Sequence, residues 1–165
     1  MSVELYRIDD RLIHGQVVVG WGQPLELDFI ALVDDDLAAS EWEQELYRMA
    51  VPPGMAVYFH DVASAAAAHA GYVADVRAGV VLTGDVATMA RLVGALTSTA
   101  TPIRHVNLGG VHHRTDRTQR LRYVFLTGDE EAALRRLAAT GVDVSAQDVP
   151  GAQPVALESL LCGRG

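Results

Sequence analysis

The chain has 165 residues, half of them hydrophobic, and a formal charge of −8 at pH 7. That length suits one domain over 1–165 with a full core, and the apolar content excludes an intrinsically disordered chain. The acidic balance argues against nucleic acid as a partner, and with all 13 basic residues arginine, no step can rely on a lysine. Val3 to Ile8 alternates apolar and polar residues as a half-buried strand does. Leu12, Ile13, Gln16, Val17, Gly20 and Trp21 then fall at helical spacing, which puts His14 near the first turn of a helix. Phe29 to Val33 reads as the second strand, and Asp34-Asp35-Asp36 as an acidic loop that caps the next helix. Ser40-Glu41-Trp42-Glu43 has the form of a capping box, opening a helix that Pro52-Pro53-Gly54 shuts off.

Ala56 to Phe59 is strand-like, and Asp61 caps an alanine-rich helix expected to end near Gly71. Val80 to Leu82 is wholly apolar, as in the middle of a parallel sheet. Asp85 caps the next helix, whose apolar face is Val86, Met89, Ala90, Val93 and Leu96. Ile103 to Leu108 and Arg122 to Leu126 read as strands. Asp129-Glu130-Glu131 opens an acidic-to-basic helix through Arg135 and Arg136 to Gly141, favourable for its dipole. A strand over Val142 to Asp148 and a short helix over Leu157 to Leu161 close the chain. This alternation predicts an α/β fold: a single-domain, open, mainly parallel twisted sheet with helices on both faces. Ligands of such sheets bind beyond the carboxyl ends of the strands.

The loop after the first strand is the strongest chemical candidate. It holds Arg7, Asp9, Asp10, Arg11, His14 and Gly15 within nine residues. A helix start favours phosphate, and Arg7 and Arg11 add planar donors that grip phosphate oxygens in pairs. Asp9 or Asp10 can hold one ring nitrogen of His14 and leave the other as nucleophile, while Gly15 lets another molecule come close. Thr83-Gly84 opens a second loop that can cradle phosphate, though a plain turn with Asp85 as helix cap is the simpler reading. His112-His113, with His105 and Asp116 near in sequence, has no metal-site spacing, so no metal and no cofactor is expected; a solvated loop lining a partner surface fits better. Arg114, Arg117, Arg120 and Arg122 make a local basic run, either a solvated face or a contact for acidic surface. His60 and His69 read as structural or exposed, and Trp21 and Trp42 as packing residues. The acidic cluster at 34–36 lacks the lysine that a receiver domain needs, and phosphate-binding glycine loops for nucleotides are missing.

Arg-Ile-Asp-Asp-Arg-Leu-Ile-His-Gly-Gln-Val over 7–17, followed by Gly20-Trp21, resembles the signature of the IIB subunit of the mannose/fructose/sorbose family of bacterial phosphotransferase systems. Val33 to Asp36, Ala50 to Gly54, Val106 to Gly110, Gln147 to Pro150 and Pro154 to Glu158 extend the resemblance along the chain. One departure is Thr83-Gly84, where many relatives carry a basic residue and Asn, which shifts more of the phosphate load onto Arg7 and Arg11. The resemblance implies a phosphohistidine carrier at His14. It would accept phosphate from a IIA partner and pass it to a sugar held by membrane permease subunits IIC and IID. The alternative is a regulatory module that keeps the phosphorylation switch without transport. The single Cys162, the lack of a secretory signal at the start and of any apolar run near the roughly 20 residues of a membrane span agree with a cytoplasmic protein docking peripherally on the permease.

Overall fold

The computed structural model describes residues 3–162. Strand β1 (Val3–Ile8) lies in the middle of a seven-stranded sheet. The other strands are β2 (Phe29–Val33), β3 (Ala56–His60), β4 (Gly79–Thr83), β5 (His105–Leu108), β8 (Asp143–Ala146) and β9 (Val155–Ala156), in the order β3-β2-β4-β1-β5-β8-β9. Six of the seven run parallel, and only β9 pairs antiparallel, against β8. β2 and β4 are buried at every position, as their unbroken apolar runs require.

The chain crosses over on both faces of the sheet. On one side α3 (Val62–Ala74), α4 (Val86–Leu96), α5 (Gly128–Ala139) and α6 (Leu157–Cys162) pack on a core that includes Ile8, Met89, Leu92 and Leu134. On the other a π-helix (Gln16–Trp21), α1 (Asp35–Ala38) and α2 (Glu41–Met49) cover Leu5, Trp21, Ile30 and Leu82. Asp34, Asp61 and Asp85 cap α1, α3 and α4 with their carboxylates, as their positions before apolar runs predict.

Local chemistry departs from the sequence reading in several places. The segment after β1 is neither α-helical nor continuous from Leu12. Leu12 is left-handed at φ 58, and regular structure begins only at Gln16, as a single π turn. His14 therefore precedes the helix, and a six-residue turn supplies little of the dipole expected for phosphate. Ser40 forms no side-chain cap; Gln44 Nε2 closes that junction on the carbonyls of Leu37 and Ala38 at 2.8 and 3.2 Å. The full capping box is at Thr127 and Glu130 instead. α3 runs past Gly71 to Ala74. Arg122 to Leu126 does not join the main sheet: β6 (Thr118–Leu121) and β7 (Val124–Leu126) form an antiparallel hairpin beside it. Trp42, expected to pack, is 68% exposed.

Candidate functional site

Because β1 sits between β4 and β5, its carboxyl end opens where the loops after those two strands converge. The register pairs Arg7 with Leu82 and with Asn107. Beyond Ile8 the backbone stays tied to both neighbours: Asp9 N–H donates to Thr83 O at 2.9 Å and Asp10 N–H to Gly110 O at 2.8 Å. The loop carrying His14 is thus fixed at its root.

Asp9 is the hub. Its carboxylate is fully buried and accepts from Arg7 Nη2 at 3.1 Å, from Arg11 N at 3.2 Å, and from Arg11 Nε and Nη2 at 3.2 Å each. His14 Nε2 stands 3.4 Å from Asp9 Oδ2, just outside hydrogen-bond geometry. Burial by itself raises a carboxyl pKa, but His14, Arg11 and Arg7 together outweigh it and hold Asp9 well below the usual carboxylate range. The site therefore keeps a fixed anion beside the imidazole. His14 Nδ1 accepts from the backbone N–H of Gln16 at 3.3 Å, which places the lone pair on Nδ1 and the proton on Nε2, toward Asp9. Nε2 is buried, so an incoming group meets the Nδ1 edge of a ring whose side chain is 19% exposed.

The two arginines divide the work unequally. Arg7, expected to grip phosphate, is completely buried. Its Nη1 donates to Asn107 Oδ1 and to Gln147 O at 2.8 Å, and its Nη2 reaches Asp148 O at 3.1 Å besides Asp9. The guanidinium also stacks 4.9 Å from the Trp21 ring, whose Nε1 donates to Asp148 O. Desolvation lowers its pKa while Asp9 opposes that shift, and an arginine so paired stays charged. Arg7 is thus a scaffold cation. Arg11 is a third exposed and leans on Asp9 and on Gln16 Oε1, so its outer edge faces the mouth of the site.

Other expected residues are redistributed. Asp10 does not touch His14: its carboxylate accepts from His112 N–H at 2.7 Å, meets His112 Nδ1, and lies 3.9 Å from Arg117. It ties the loop after β1 to residues 112–117. Thr83 is buried and its hydroxyl donates to Asp85 O at 3.3 Å, so that hydroxyl is already engaged, while Leu12 packs 3.0 Å from where a Cβ at Gly84 would stand. Gly15 lies at the surface with an ordinary φ of −53°, and a Cβ there would meet nothing within 4 Å, so neither the backbone nor packing requires glycine. Arg117 and Arg120 pair with Glu130 and Glu131 at 3.0 and 2.6 Å, whereas Arg114 and Arg122 stay exposed. Among the described residues no cluster could hold a metal.

Sequence reasoning assigned no role to Asn107, Gln16 or the carbonyls of Gln147 and Asp148. It also missed why Gly109-Gly110 is needed. A Cβ at Gly109 would lie 2.3 Å from Arg7 Nη2, and one at Gly110 would lie 3.1 Å from Arg11 Nη2 and 3.2 Å from Asp9 Oδ1. The glycine backbone is the lid on both guanidinium groups. Two larger cavities, of about 360 and 650 Å³, lie at the amino ends of β1 and β5 and between the starts of α4 and α5; His14 lines neither.

Residues 3–165 match the family of PTS system sorbose subfamily IIB components. The PTS system sorbose-specific EIIB component of Lacticaseibacillus casei is 33% identical over 142 residues, which is 86% of this chain and 84% of that protein. The PTS system mannose-specific EIIAB component of Escherichia coli K12 is 30% identical over 149 residues, 90% of this chain and 45% of that longer protein. The crystal structure of the IIBSor domain of the sorbose permease from Klebsiella pneumoniae superposes with a TM-score of 0.86 at 27% identity, covering 100% of this chain and 99% of the other.

Proposed function

The chain belongs to the sorbose subfamily of phosphotransferase-system IIB components, phosphotransferases of sugar uptake, and from that premise we propose that His14 carries the phosphoryl group on Nδ1. The observation that supports this is the buried Asp9 carboxylate facing His14 Nε2, which leaves Nδ1 as the nucleophilic edge, its lone pair held by the Gln16 N–H until the phosphoryl group arrives. In the first step the Nδ1 lone pair attacks the phosphorus of a phosphohistidine on a IIA partner. The N–P bond to the donor breaks as the bond to Nδ1 forms. The Nε2 proton stays in place, and Asp9 balances the positive ring. In the second step a sugar hydroxyl oxygen attacks the same phosphorus and gives its proton to a base on the membrane subunit that holds the sugar, the Nδ1–P bond breaks, and His14 leaves as a neutral imidazole that keeps its Nε2 proton.

Arg11 supplies charge to the equatorial oxygens during both transfers, with the Gln16 N–H beside it. Arg7 and Asp10 act as positioning residues, the first through Asp9 and the 147–148 carbonyls, the second through His112. Thr83 and Gly84 support the loop from beneath. A IIA donor as partner is supported by the mannose-specific relative, which is an EIIAB component. Membrane subunits IIC and IID would hold the sugar, with the chain docking from the cytoplasm; among the described residues no helix is long and apolar enough to cross a membrane.

The test is phosphate transfer from a phosphorylated IIA donor to wild type and to His14→Ala, read by intact mass. One added phosphoryl group on wild type alone is expected. A gain on both proteins would move the nucleophile elsewhere and overturn the assignment.

A further inference from the structure

The two faces of the sheet are covered unequally. α3, α4 and α5 each bury two or more side chains. α2 buries none, yet it carries Trp42, Leu46 and Met49, which are 68%, 56% and 80% exposed. These positions are four and three residues apart, so they form one stripe along the outer face of the helix. The only anchoring aromatic is Tyr47, half-buried with its ring 6.4 Å from Phe59. Nothing in the core of this chain requires a tryptophan at 42. Val19 of the π-helix, 52% exposed, adds apolar surface on the same side of the sheet. Of the five large apolar side chains exposed among the described residues, four lie on this face.

From this arrangement we propose that the α2 stripe is the surface by which the chain docks on its membrane partner, through an apolar patch ringed by arginine and lysine on the partner's cytoplasmic loops. The proposal rests on the carrier reading above and adds where the second partner binds. Charge identifies the occupant. Between Asp34 and Met49 the chain has six carboxylates and one arginine, and that Arg48 is already paired with Glu45 at 2.9 Å. Such a rim repels anionic lipid and repels a second copy of itself. Short cytoplasmic loops of membrane proteins, by contrast, carry an excess of lysine and arginine. An amphipathic helix offering anchors at i, i+4 and i+7 matches the helix-in-groove mode of recognition.

Position fits as well. α2 starts from the rim at the carboxyl ends of the strands, the rim that carries His14, and runs down the face of the sheet. A partner seated on α2 holds the carrier by its flank and leaves the Nδ1 edge free to meet a sugar. Three side chains make a small interface, which suits a carrier that must leave between transfers.

The experiment compares wild type, Trp42→Ser/Leu46→Gln/Met49→Gln and Glu41→Arg/Glu45→Arg. Each is measured for phosphate acceptance from the IIA donor by intact mass, and for co-sedimentation with vesicles that contain or lack subunits IIC and IID. The stripe variant should accept phosphate as wild type does and lose tenfold or more of its binding to loaded vesicles; the charge variant should lose several-fold. His14→Ala should bind vesicles normally, so a failed carrier reading leaves the docking result standing. Full binding of both variants would overturn the proposal. So would equal binding of wild type to empty vesicles, loss of phosphate acceptance by the folded stripe variant, or a wild-type dimer that the stripe substitutions dissolve.

Discussion

Two histidines stand at opposite ends of β1, and their surroundings differ in kind. His69, 2% exposed, bonds the Tyr6 hydroxyl at 2.6 Å and the Thr101 hydroxyl at 3.2 Å, so both ring nitrogens are satisfied by neutral groups. Burial lowers its pKa and pushes Tyr6 up to about 12. His14 faces a carboxylate on one side, a backbone N–H on the other, and Arg11 beside it. A saturated, uncharged imidazole is a strut. An imidazole with a fixed anion behind it and only a backbone N–H on its other nitrogen fits the carrier role proposed for His14. His69 is 2% exposed and the His14 side chain 19%, and the charge of the partners separates them further.

The largest effect that would sharpen this contrast is on the scaffold. Arg7→Leu leaves Asp9 short of a cation and takes the Arg7 donor from Gln147 O and Asn107 Oδ1, so folding stability should fall by about 3–5 kcal/mol in denaturant titration. Unchanged stability would mean that the buried network is not what holds the His14 end together. Arg11→Ala should instead slow phosphoryl acceptance about 10²–10³-fold, with a melting temperature close to that of wild type. An unaltered rate would make Arg11 another strut, and the difference between the two arginines would collapse.

The smallest effect is expected at the other end. His69→Ala should cost about 1–3 kcal/mol, because Tyr6 and Thr101 lose their partner, and should leave transfer untouched. The pH dependence has a definite sign. The native state holds His69 neutral below the ordinary value of 6.5, so below that pH the unfolded chain binds a proton that the folded chain refuses. Stability contributed by His69 is full above about pH 6.5 and declines as pH falls toward its lowered native pKa. Asp9 behaves likewise at lower pH: its contribution is complete above about pH 4 and fades only in stronger acid. Thermal melts of wild type and His69→Ala from pH 7.5 to 5 should converge; parallel curves would show that His69 is not the group that titrates.

Much of this architecture is legible from residue order. The unbroken apolar runs at 29–33 and 80–82 dictate central strands, and aspartates before apolar stretches mark three helix starts. The π turn is not legible, because one extra residue in a turn barely disturbs a 3.6-residue periodicity. Arg122 to Leu126 has strand composition, yet its pairing within a side hairpin depends on distant geometry. At the site, the residue types of the carrier loop are visible but their division of labour is not. Charge suggests that Arg7 and Arg11 act alike. The alternation along β1 held a clue, since Arg7 shares the face of Leu5, and that face points to Trp21 and the core. Trp42 shows the converse: amino-acid type favours burial, and only the folded chain reveals that it stands in water.

The bond from Arg7 to Gln147 O joins residues 140 positions apart. At a synthesis rate of roughly 5–20 residues per second, some 7–28 s separate the appearance of the guanidinium from that of its last acceptors. Throughout that interval the nascent chain holds a cation whose burial cannot be completed, and β1 lacks its neighbours β4 and β5 for most of it. The earliest segment to be made is therefore among the last to settle. A chain that ends before residue 148 lacks the Gln147 and Asp148 carbonyls on which the Arg7 guanidinium closes.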